Sequence, residues 1–413
     1  MTREFFSVKT VAEVNAGFRP ARRTVVEACA LGDALGRVTA QPIVCAHDLP
    51  GFARSAVDGF AVRASDTFGA SSSVPAGLTV LGQVDMGSSP TSIVLAPGEA
   101  VAIPTGGALP DGADAIAMVE HTAPAVGGTV DVLQPVAPGE SVVRADEDVR
   151  AGTEIVPSGQ SLRPAQLGVL AAAGVTSVAV FARPRVSIFS TGDEVVVPET
   201  PRLEIGQVRD ATASALAGMT HRGGGTPEIG EIIPDELAHM RVSLQAALEH
   251  SDLIVVSAGS SVGARDLTAE VVDSLGDPGI WCHGLAIKPG KPTLLAECGD
   301  VPILGLPGNP VSALVVFGLI GVPLIQQIGG NTRPTPAPRL PAVLTRDVPS
   351  APGRLDVVQV RLGQSTSEAC EAEPLFAKSS ALSVLALADG QIQVPEDASG
   401  LYAGAEVMVE LHG

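Results

Sequence analysis

Three apolar runs between residues 251 and 312 each lead directly into a loop of small and polar residues, and this repeated arrangement constrains the fold most. The runs cover residues 252–257, 285–287 and 303–306, and the loops cover residues 258–266, 288–292 and 307–310. In an open α/β sheet the ligand crevice lies outside the carboxyl ends of the strands. Loops from three neighbouring strands would therefore converge on one site, rich in backbone N–H groups and positive charge.

The length and the charge of the chain limit what this site can belong to. A chain of 413 residues is too long for one core and, at roughly 100 to 200 residues per domain, predicts about two to four domains. With 45 acidic against 26 basic residues, the formal net charge is -19. That balance argues against nucleic acid or an anionic membrane as the main partner. A small anionic ligand is still compatible with it where lysines are concentrated or a metal ion bridges.

Nothing in the sequence indicates secretion or a membrane. The first nine residues lack the apolar region of a signal peptide. The apolar window over 311–325 is interrupted by serine, glycine and proline and is shorter than the roughly 20 residues of a membrane span. Five scattered cysteines without a Cys-x-x-Cys pair indicate reduced thiols, with neither a zinc site nor a disulfide framework. We therefore expect a cytoplasmic protein.

The hydrophobic period changes several times along the chain. Residues 8–32 are predicted to be helical, with Pro20 as an interruption, and a second helix is expected over 164–174. Between them, β-type runs lie at residues 59–63, 78–84, 100–104 and 115–119 and predict a small β domain. From residue 175, strands at 178–181, 185–189 and 227–233 alternate with helices at 211–221 and 235–249. This alternation predicts a doubly wound sheet, followed after a proline-rich linker by a second β domain over 338–413.

The loop over 288–292, Lys-Pro-Gly-Lys-Pro, places two lysines in a restrained turn. Pro289 and Pro292 fix φ, and the glycine between them lets the backbone approach a ligand closely. The alternative is a solvated surface turn. Because the turn directly follows an apolar run, we favour an anion site for Lys288 and Lys291.

The turn over 307–312, Pro-Gly-Asn-Pro-Val-Ser, precedes a long apolar helix. Free N–H groups and the helix dipole would point at whatever fills the crevice. Considered alone, an ordinary strand-to-helix turn with Pro310 at the first helical position explains this segment equally well.

Several carboxylates are expected at adjacent strand ends. Residues 190–194, Ser-Thr-Gly-Asp-Glu, combine two hydroxyls with two acids, Asp235 follows Pro234, and Asp266 ends the first glycine- and serine-rich loop. Each acid could be a helix N-cap. Their number beside two lysines favours a Mg²⁺ ion that bridges an anionic substrate.

Two turn motifs occur in the predicted β domain. One spans residues 48–61 and contains Asp58, and the other spans residues 104–114 and contains Thr105. Taken as turns, they indicate no function.

Seven segments together resemble the molybdopterin molybdenumtransferase family, also called molybdenum insertases, which includes the E domain of gephyrin. They lie at residues 50–61, 105–114, 147–148, 190–194, 260–266, 287–292 and 305–312. The resemblance covers nearly the whole chain in the right order, which makes coincidence very improbable although each motif alone is weak.

The resemblance implies a multidomain α/β fold. It implies an elongated α+β domain (1–40 and 140–175) for dimerisation, a small β domain (41–139), a doubly wound molybdopterin-binding domain (176–329) and a C-terminal β domain (330–413). It implies an enzyme that takes adenylylated molybdopterin and molybdate, uses Mg²⁺ and releases AMP. Family members are homodimers in which the doubly wound domain of one subunit faces the small β domain of the other. Other proteins of molybdenum-cofactor biosynthesis are conceivable partners.

Motif positions give the candidate site residues. The resemblance implies catalytic roles for Asp58, Glu194, Asp235, Asp266, Lys288 and Lys291, with Glu194, Asp235 and Asp266 as Mg²⁺ ligands. It implies substrate binding by Thr105, Ser190, Thr191, Gly192, Asp193, Gly259, Ser260, Ser261, Gly263, Pro289, Pro292, Pro307, Gly308, Asn309, Pro310, Ser312, Arg354 and Ser379. Because Asp58 is remote in sequence from the sheet, we expect it to act across the dimer interface.

Four segments depart from the family pattern. Residues 257–263 read Ser-Ala-Gly-Ser-Ser-Val-Gly where the family often has Ser-Gly-Gly-Val-Ser-Val-Gly, and Asp146 stands where Gly is usual. Ala211 and Thr212 follow Asp210 where the family has Thr-Asn, and Phe60 stands where Tyr is common. These differences leave open a second interpretation, a catalytically weak paralogue that binds pterin or serves as a scaffold.

Overall fold

The computed structural model describes residues 8–87, 93–258, 262–364, 370–376, 378 and 380–412, and of residues 262–266 and 364 it describes the backbone alone. The chain forms two compact units. The first unit comprises Met1–Gln41, Ser158–Arg163 and Ser177–Gly413, and the second comprises Pro42–Pro157 and Pro164–Thr176.

The helices and strands of the described residues are as follows. The helices are α1 (Val11–Gly17), α2 (Pro164–Ala172), α3 (Thr212–Arg222), α4 (Leu237–Leu248), α5 (Val262–Ser274), α6 (Pro310–Val316), α7 (Val322–Ile328) and α8 (Ser383–Leu387), with a π-helical segment at Phe317–Gly321 and 3-10 turns at Leu31–Asp33, Ala64–Thr67 and Val119–His121. The strands are β1 (Val26–Ala30), β2 (Ile43–Val44), β3 (Arg54–Ser55), β4 (Gly59–Val62), β5 (Ala76–Gln83), β6 (Glu99–Ile103), β7 (Ala115–Met118), β8 (Thr122–Ala125), β9 (Thr129–Val132), β10 (Val142–Val143), β11 (Glu154–Val156), β12 (Ser177–Phe181), β13 (Arg185–Thr191), β14 (Val195–Val196), β15 (Val208–Arg209), β16 (Thr226–Ile233), β17 (Leu253–Ser257), β18 (Pro278–His283), β19 (Ile287–Lys288), β20 (Leu294–Cys298), β21 (Val301–Leu306), β22 (Arg339–Leu344), β23 (Val348–Pro349), β24 (Leu355–Gln364), β25 (Cys370–Pro374), β26 (Gly390–Val394), β27 (Gly400–Leu401) and β28 (Glu406–Leu411).

The N-terminal segment is helical for seven residues only, so the prediction of helix over 8–32 is wrong beyond Gly17. Thr10 and Glu13 form a reciprocal capping box that starts α1. Pro20 then prevents the helix from continuing. The apolar residues after it belong to β1, which pairs antiparallel with β12.

The second unit is built on a mixed six-stranded sheet in the order β7-β4-β6-β5-β9-β8. The strands predicted near residues 59, 78, 100 and 115 are confirmed as β4, β5, β6 and β7. Val62, Leu78 and Val130 belong to its buried core on one side. The helix predicted over 164–174 is confirmed as α2 and packs on β11 in the same unit.

The first unit contains a second six-stranded sheet, in the order β16-β13-β17-β21-β20-β18, with helices on both faces. Four strands, β16, β13, β17 and β21, run parallel, which confirms the predicted doubly wound architecture. Along β17, Val255 packs with Leu216 of α3 on one face. Ile254 and Val256 pack with Met240 of α4 on the other face. A strand buried on both faces explains why residues 252–257 form a continuous apolar run.

The apolar run at 285–287 is not a strand of this sheet, so the prediction that three neighbouring strands supply the three loops is wrong. Residues 287 and 288 form β19, which pairs with β24 of a different sheet. The N–H of Leu285 donates to the Lys291 carbonyl at 2.8 Å, and that of Gly284 to the Thr293 carbonyl at 2.7 Å. Because the loop closes on itself, this part of the backbone is not available to pair in the large sheet. Beyond β21, that sheet continues through two antiparallel strands, β20 and β18, which the sequence analysis did not predict.

The predicted C-terminal β region is confirmed as a sheet in the order β19-β24-β25-β22-β28-β26. An additional pairing between β24 and β26 closes five of its strands, β24, β25, β22, β28 and β26, into a ring. Its core is formed by small and branched residues such as Ala342, Val360 and Val394. The sheet includes β19 from the lysine loop, so the two predicted domains share a strand pairing within the first unit.

One continuous helical stretch, Pro310–Ile328, is long and apolar enough to cross a membrane by length and composition alone. In the structure 67% of its most apolar window is buried inside the protein. Its apolar residues, including Phe317 and Ile325, belong to the core of the first unit. This burial explains its apolar composition as that of a core helix.

Candidate functional site

The carboxyl ends of β16, β13, β17 and β21 lie in that order along one edge of the parallel sheet. Neighbouring strands are about 4.8 Å apart, so the turn after β13 and the turn after β21 are separated by roughly 10 Å. The sequence motifs at 190–194 and 307–312 therefore lie along the same edge of the sheet, two strands apart.

The lysine loop over 288–292 lies against the same edge through a glycine contact. Gly290 has φ +118°, and a Cβ atom added to it would lie 2.3 Å from Cγ2 of Val316 in α6, the helix that follows β21. The Gly290 carbonyl also accepts a hydrogen bond from the Thr293 hydroxyl at 2.7 Å. These contacts hold the loop in place against α6, with Lys288 and Lys291 exposed.

A buried carboxylate, Asp356 of β24, holds two cations of the site together. The Arg354 guanidinium donates to both Asp356 oxygens, at 2.8 Å from Nε and 3.4 Å from its terminal nitrogen. Lys288 Nζ lies 3.6 Å from Asp356 Oδ2. The Asp356 side chain is only 3% exposed, whereas those of Lys288 and Arg354 are 58% and 37% exposed. Asp356 thus positions two cations whose outer faces remain open to solvent.

These residues line a cleft of about 720 Å³, which we call the cationic cleft. Its charged lining consists of Lys288, Lys291, Arg354, Lys378 and the single carboxylate of Asp356. Among the described residues this leaves an excess of three positive charges in a chain that carries -19 overall. Such a cleft favours a small polyvalent anion.

The turn over 307–312 forms another part of the cleft. Pro310 is the first residue of α6, and the preceding Asn309 makes no side-chain capping hydrogen bond. Val311 and Ser312 line the cleft, and Ser312 is only 5% exposed. The predicted placement of this turn beside the two lysines is therefore supported by the geometry.

A second group of charges, which we call the acidic turn, comprises residues 190–194 at the end of β13 and Asp235 after β16. The Asp235 N–H donates to Oδ1 of Asp193 at 3.2 Å. A Cβ atom on Gly192 would lie 2.5 Å from Oε2 of Glu194, so that carboxylate folds back over the glycine. Three acids are thus gathered at neighbouring strand ends.

The surroundings of Asp235 are unfavourable for its ionised form. Its Oδ1 is buried without a hydrogen-bond partner among the described residues. Partial burial first, and then the negative charges of Asp193 and Glu194, raise the pKa of Asp235 above its ordinary value of 3.8. Asp235 does not cap α4, because Glu236 occupies that position. A cation bound here would relieve the repulsion, which is the chemistry that the predicted Mg²⁺ site requires.

The Ser190 hydroxyl is also buried without a partner among the described residues. The predicted residues Gly259, Ser260, Ser261 and Ser379 lie outside the described residues, and the side chain of Asp266 and the Gly263 position lie in the stretch described by its backbone alone. Among the described side chains, no group of three or more His, Cys, Asp or Glu has the arrangement of a metal site.

In the second unit, the structure joins the two turn motifs that appeared unremarkable as sequence. Asp58 Oδ1 accepts hydrogen bonds from the Thr105 N–H at 2.7 Å and from the Thr105 hydroxyl at 2.9 Å. These two bonds, the backbone bond first, lower the pKa of Asp58. Asp58 is exposed and stays ionised at neutral pH, so it presents a fixed negative charge at the surface of this unit.

Sequence reasoning named Arg354 but assigned no role to Asp356, two residues later. The available signal was the spacing, because Arg354 directly precedes β24 and residues two apart in extended backbone lie on the same side. An acid at that spacing from a predicted anion-binding arginine is well placed to hold it.

Comparison with family models matches almost all of the chain. Residues 7–174 match the MoeA N-terminal region (domain I and II), residues 187–327 match a probable molybdopterin binding domain, and residues 341–412 match the MoeA C-terminal region (domain IV).

Individual relatives match over nearly the same extent. A molybdopterin molybdenumtransferase 2 from Mycobacterium tuberculosis is 34% identical over 405 residues, 97% of each chain. A molybdopterin molybdenumtransferase from Bacillus subtilis is 32% identical over 92% of this chain and 89% of its own length. Among solved structures, a molybdopterin biosynthesis MoeA protein from Pyrococcus horikoshii superposes with a TM-score of 0.84 at 28% identity, covering 98% of this chain and 100% of its own.

Proposed function

Because the chain belongs to the MoeA family of molybdopterin molybdenumtransferases, enzymes that insert molybdenum during molybdenum-cofactor biosynthesis, we propose that its substrates are molybdate and adenylylated molybdopterin. Insertion would be coupled to hydrolysis of the adenylate and release of AMP. The observation that carries this proposal is the pair of oppositely charged groups along one edge of the sheet.

The cationic cleft is the proposed molybdate site. Molybdate is a tetrahedral dianion, and the excess of three positive charges matches it. Arg354, whose Nε and one terminal nitrogen donate to Asp356, offers its remaining guanidinium N–H donors, and Lys288 and Lys291 offer compact charges from a restrained loop. Ser312 would add a hydroxyl from the start of α6.

The acidic turn is the proposed Mg²⁺ site. Asp235 and Glu194, with Asp266 of α5, would hold the ion, and Ser190 to Asp193 would contact the substrate. Mg²⁺ prefers oxygen ligands and commonly combines one or two carboxylates with a substrate phosphate. When bound, it would offset the negative charge of the adenylate phosphate. The unpartnered oxygen of Asp235 supports this assignment.

We further propose that the enzyme is a cytoplasmic homodimer in which Asp58 of a second copy completes the site. Thr105 holds the Asp58 carboxylate in one orientation. Asp58→Asn and Asp266→Asn would each bind substrate but lose turnover, and mixing them would produce some heterodimers with one intact site. If the mixture stays inactive while subunit exchange is demonstrated, Asp58 does not act in trans.

The direct test is release of AMP from adenylylated molybdopterin by the purified protein, measured against molybdate and Mg²⁺ concentration. We expect AMP release to saturate with molybdate and to require Mg²⁺. Pterin binding without molybdate-dependent AMP release would contradict the proposal and identify a binding or scaffold paralogue.

A further inference from the structure

A second cavity of the first unit, of about 370 Å³, has a strongly positive lining. It lies where α3 and α7 end, beside the turn between β12 and β13. Its titratable lining consists of Arg37, Arg183, His221 and Arg222, and none of its described lining residues is aspartate or glutamate. The chain has 45 acidic and 26 basic residues, so a surface cavity whose ionisable lining residues are all basic would not be expected by chance.

The basic residues are not explained by the ends of the two helices. Basic side chains often offset the negative end of a helix dipole. Here the last carbonyls of α3 already accept hydrogen bonds from the N–H groups of Gly223, Gly224 and Gly225. The last turn of α7 is closed in the same way by Gly329 and Gly330. Moreover, Arg37, Arg183 and Arg222 come from three separate chain segments, so one helix terminus cannot account for their convergence.

Most of this charge is unpaired. Arg37 is engaged by Glu27, by Cys29 and by the carbonyl of Phe181. In contrast, the side chains of Arg183, His221 and Arg222 make no hydrogen bond or ion pair with any residue that the structure describes, and all three are exposed. Their donors are therefore available to a ligand.

The remaining lining suits an organic portion attached to an anion. Phe181, Pro184 and Ile325 contribute apolar surface to the cavity. Asn331 uses its side-chain oxygen to accept the Arg333 N–H at 3.0 Å, so its amide nitrogen is left as a further donor. A volume of 370 Å³ lies within the range of small-molecule pockets and is too small for a folded partner.

We propose that this cavity binds a small phosphate-bearing ligand, with Arg183 and Arg222 contacting the phosphate. Guanidinium groups match phosphate geometry through paired N–H donors, and two of them offset a dianion. None of the residues that line this cavity lines the cationic cleft, so the site is separate from the proposed molybdate site. The inference does not depend on the proposed function.

The test measures binding of inorganic phosphate and of AMP by titration calorimetry on full-length protein at low salt. The background is the Lys288→Ala/Lys291→Ala variant, in which the cationic cleft is weakened. Measured without Mg²⁺, so that the adenylate phosphate site proposed at the acidic turn is not formed, this background should show one site per chain, with AMP bound more tightly than phosphate because of the apolar lining. Arg183→Ala/Arg222→Ala introduced into it should weaken both ligands at least tenfold. As a matched control, Arg202→Ala/Arg241→Ala removes two exposed arginines that lie outside the cavity and should change nothing.

Three results would contradict the proposal. Absence of binding up to millimolar ligand in the lysine-substituted background would show that the cavity takes no phosphate. Equal weakening by the control pair would show that net charge alone is responsible. Phosphate binding equal to that of AMP would contradict the role of the apolar lining. Separately, unchanged molybdate-dependent turnover in the lysine-substituted protein would refute the proposed molybdate site without affecting this one.

Discussion

The cationic cleft and the acidic turn lie along the same sheet edge but differ in whether their charges have compensating partners. In the cleft, Asp356 is 3% exposed and satisfies two cations, so charge is concentrated and also held in place. In the acidic turn, Asp193, Glu194 and Asp235 repel one another, and one oxygen of Asp235 has no partner among the described residues.

This difference indicates what each region lacks. The cleft is already organised and has positive charge in excess, so an anion can enter without rearrangement of the protein. The acidic turn is electrostatically incomplete and gains from a cation. A substrate that carries phosphate next to a metal ion at one end, and an oxyanion at the other, would complete both.

The largest effect is expected from removal of the exposed lysines. Lys288→Ala and Lys291→Ala should each lower molybdate-dependent turnover at limiting molybdate by at least about 10-fold, the loss of one charge-assisted contact of about 1.5–3 kcal/mol. Their thermal stability should change little, because both ammonium groups are exposed and Asp356 keeps its hydrogen bonds from Arg354 when Lys288 is removed. Steady-state kinetics with varied molybdate checks this, and Arg241→Ala in α4 serves as the matched control. Wild-type turnover of both lysine variants at limiting molybdate would show that the cationic cleft is not the molybdate site, and the contrast with the acidic turn would then have no functional meaning.

Gly290→Ala tests whether the lysine loop must lie against α6. The added methyl group would collide with buried Val316 and should cost about 1–3 kcal/mol of unfolding free energy. It should also displace both lysines and weaken molybdate binding. Gly299→Ala is the control, because Gly299 also has a positive φ, +63°, but has no atom within 4 Å of the added position. Similar losses of stability and molybdate affinity in both variants would mean that backbone strain, and not the contact with α6, is responsible.

Asp356→Asn tests whether the buried carboxylate of the cleft contributes more to stability than a more exposed carboxylate does. Loss of its charge should lower the unfolding free energy by about 1–3 kcal/mol, because buried hydrogen bonds to charged groups are lost. Glu373 provides the comparison, since it also contacts two arginines, Arg346 at 2.9 Å and Arg361 at 2.7 Å, but its side chain is 38% exposed. Chemical denaturation should show a clearly smaller loss for Glu373→Gln. Equal losses would show that burial does not distinguish the two carboxylates.

The smallest effect concerns Asp235. Its pKa is raised in the folded state, so the folded protein binds this proton more readily than the unfolded chain does. The contribution to stability is therefore full at low pH and lost as the pH rises through the folded pKa. At pH 7 without metal, Asp235→Asn should raise the melting temperature by about 1–3 °C, and this gain should vanish toward pH 4.

The same pair of proteins tests the metal site. Added Mg²⁺ should raise the melting temperature of the wild type more than that of Asp235→Asn, because a ligand stabilises the folded state in which it binds. An equal response of both proteins to Mg²⁺ would show that Asp235 is not a ligand.

Many strands and helices of the first unit could be predicted from local sequence patterns. The parallel strands β13, β16, β17 and β21 were recognisable as apolar runs with helical segments between them, because a strand buried on both faces needs apolar residues throughout. Pro310 at the start of a helix was recognisable for the same local reason, since its fixed φ suits that position. The helix over residues 8–32 was overestimated because the apolar spacing of β1 also fits a helix.

The sequence by itself determined which residues stand at strand ends and that lysines, acids and a proline-rich turn occur there, because these follow from local propensity and spacing. Only the tertiary structure decided which of them meet. It paired β19 with a strand more than sixty residues later, placed Asp356 under Lys288 and Arg354, and joined Asp58 to Thr105. Such contacts depend on sheet register and chain closure over long separations, which no local pattern of residues specifies.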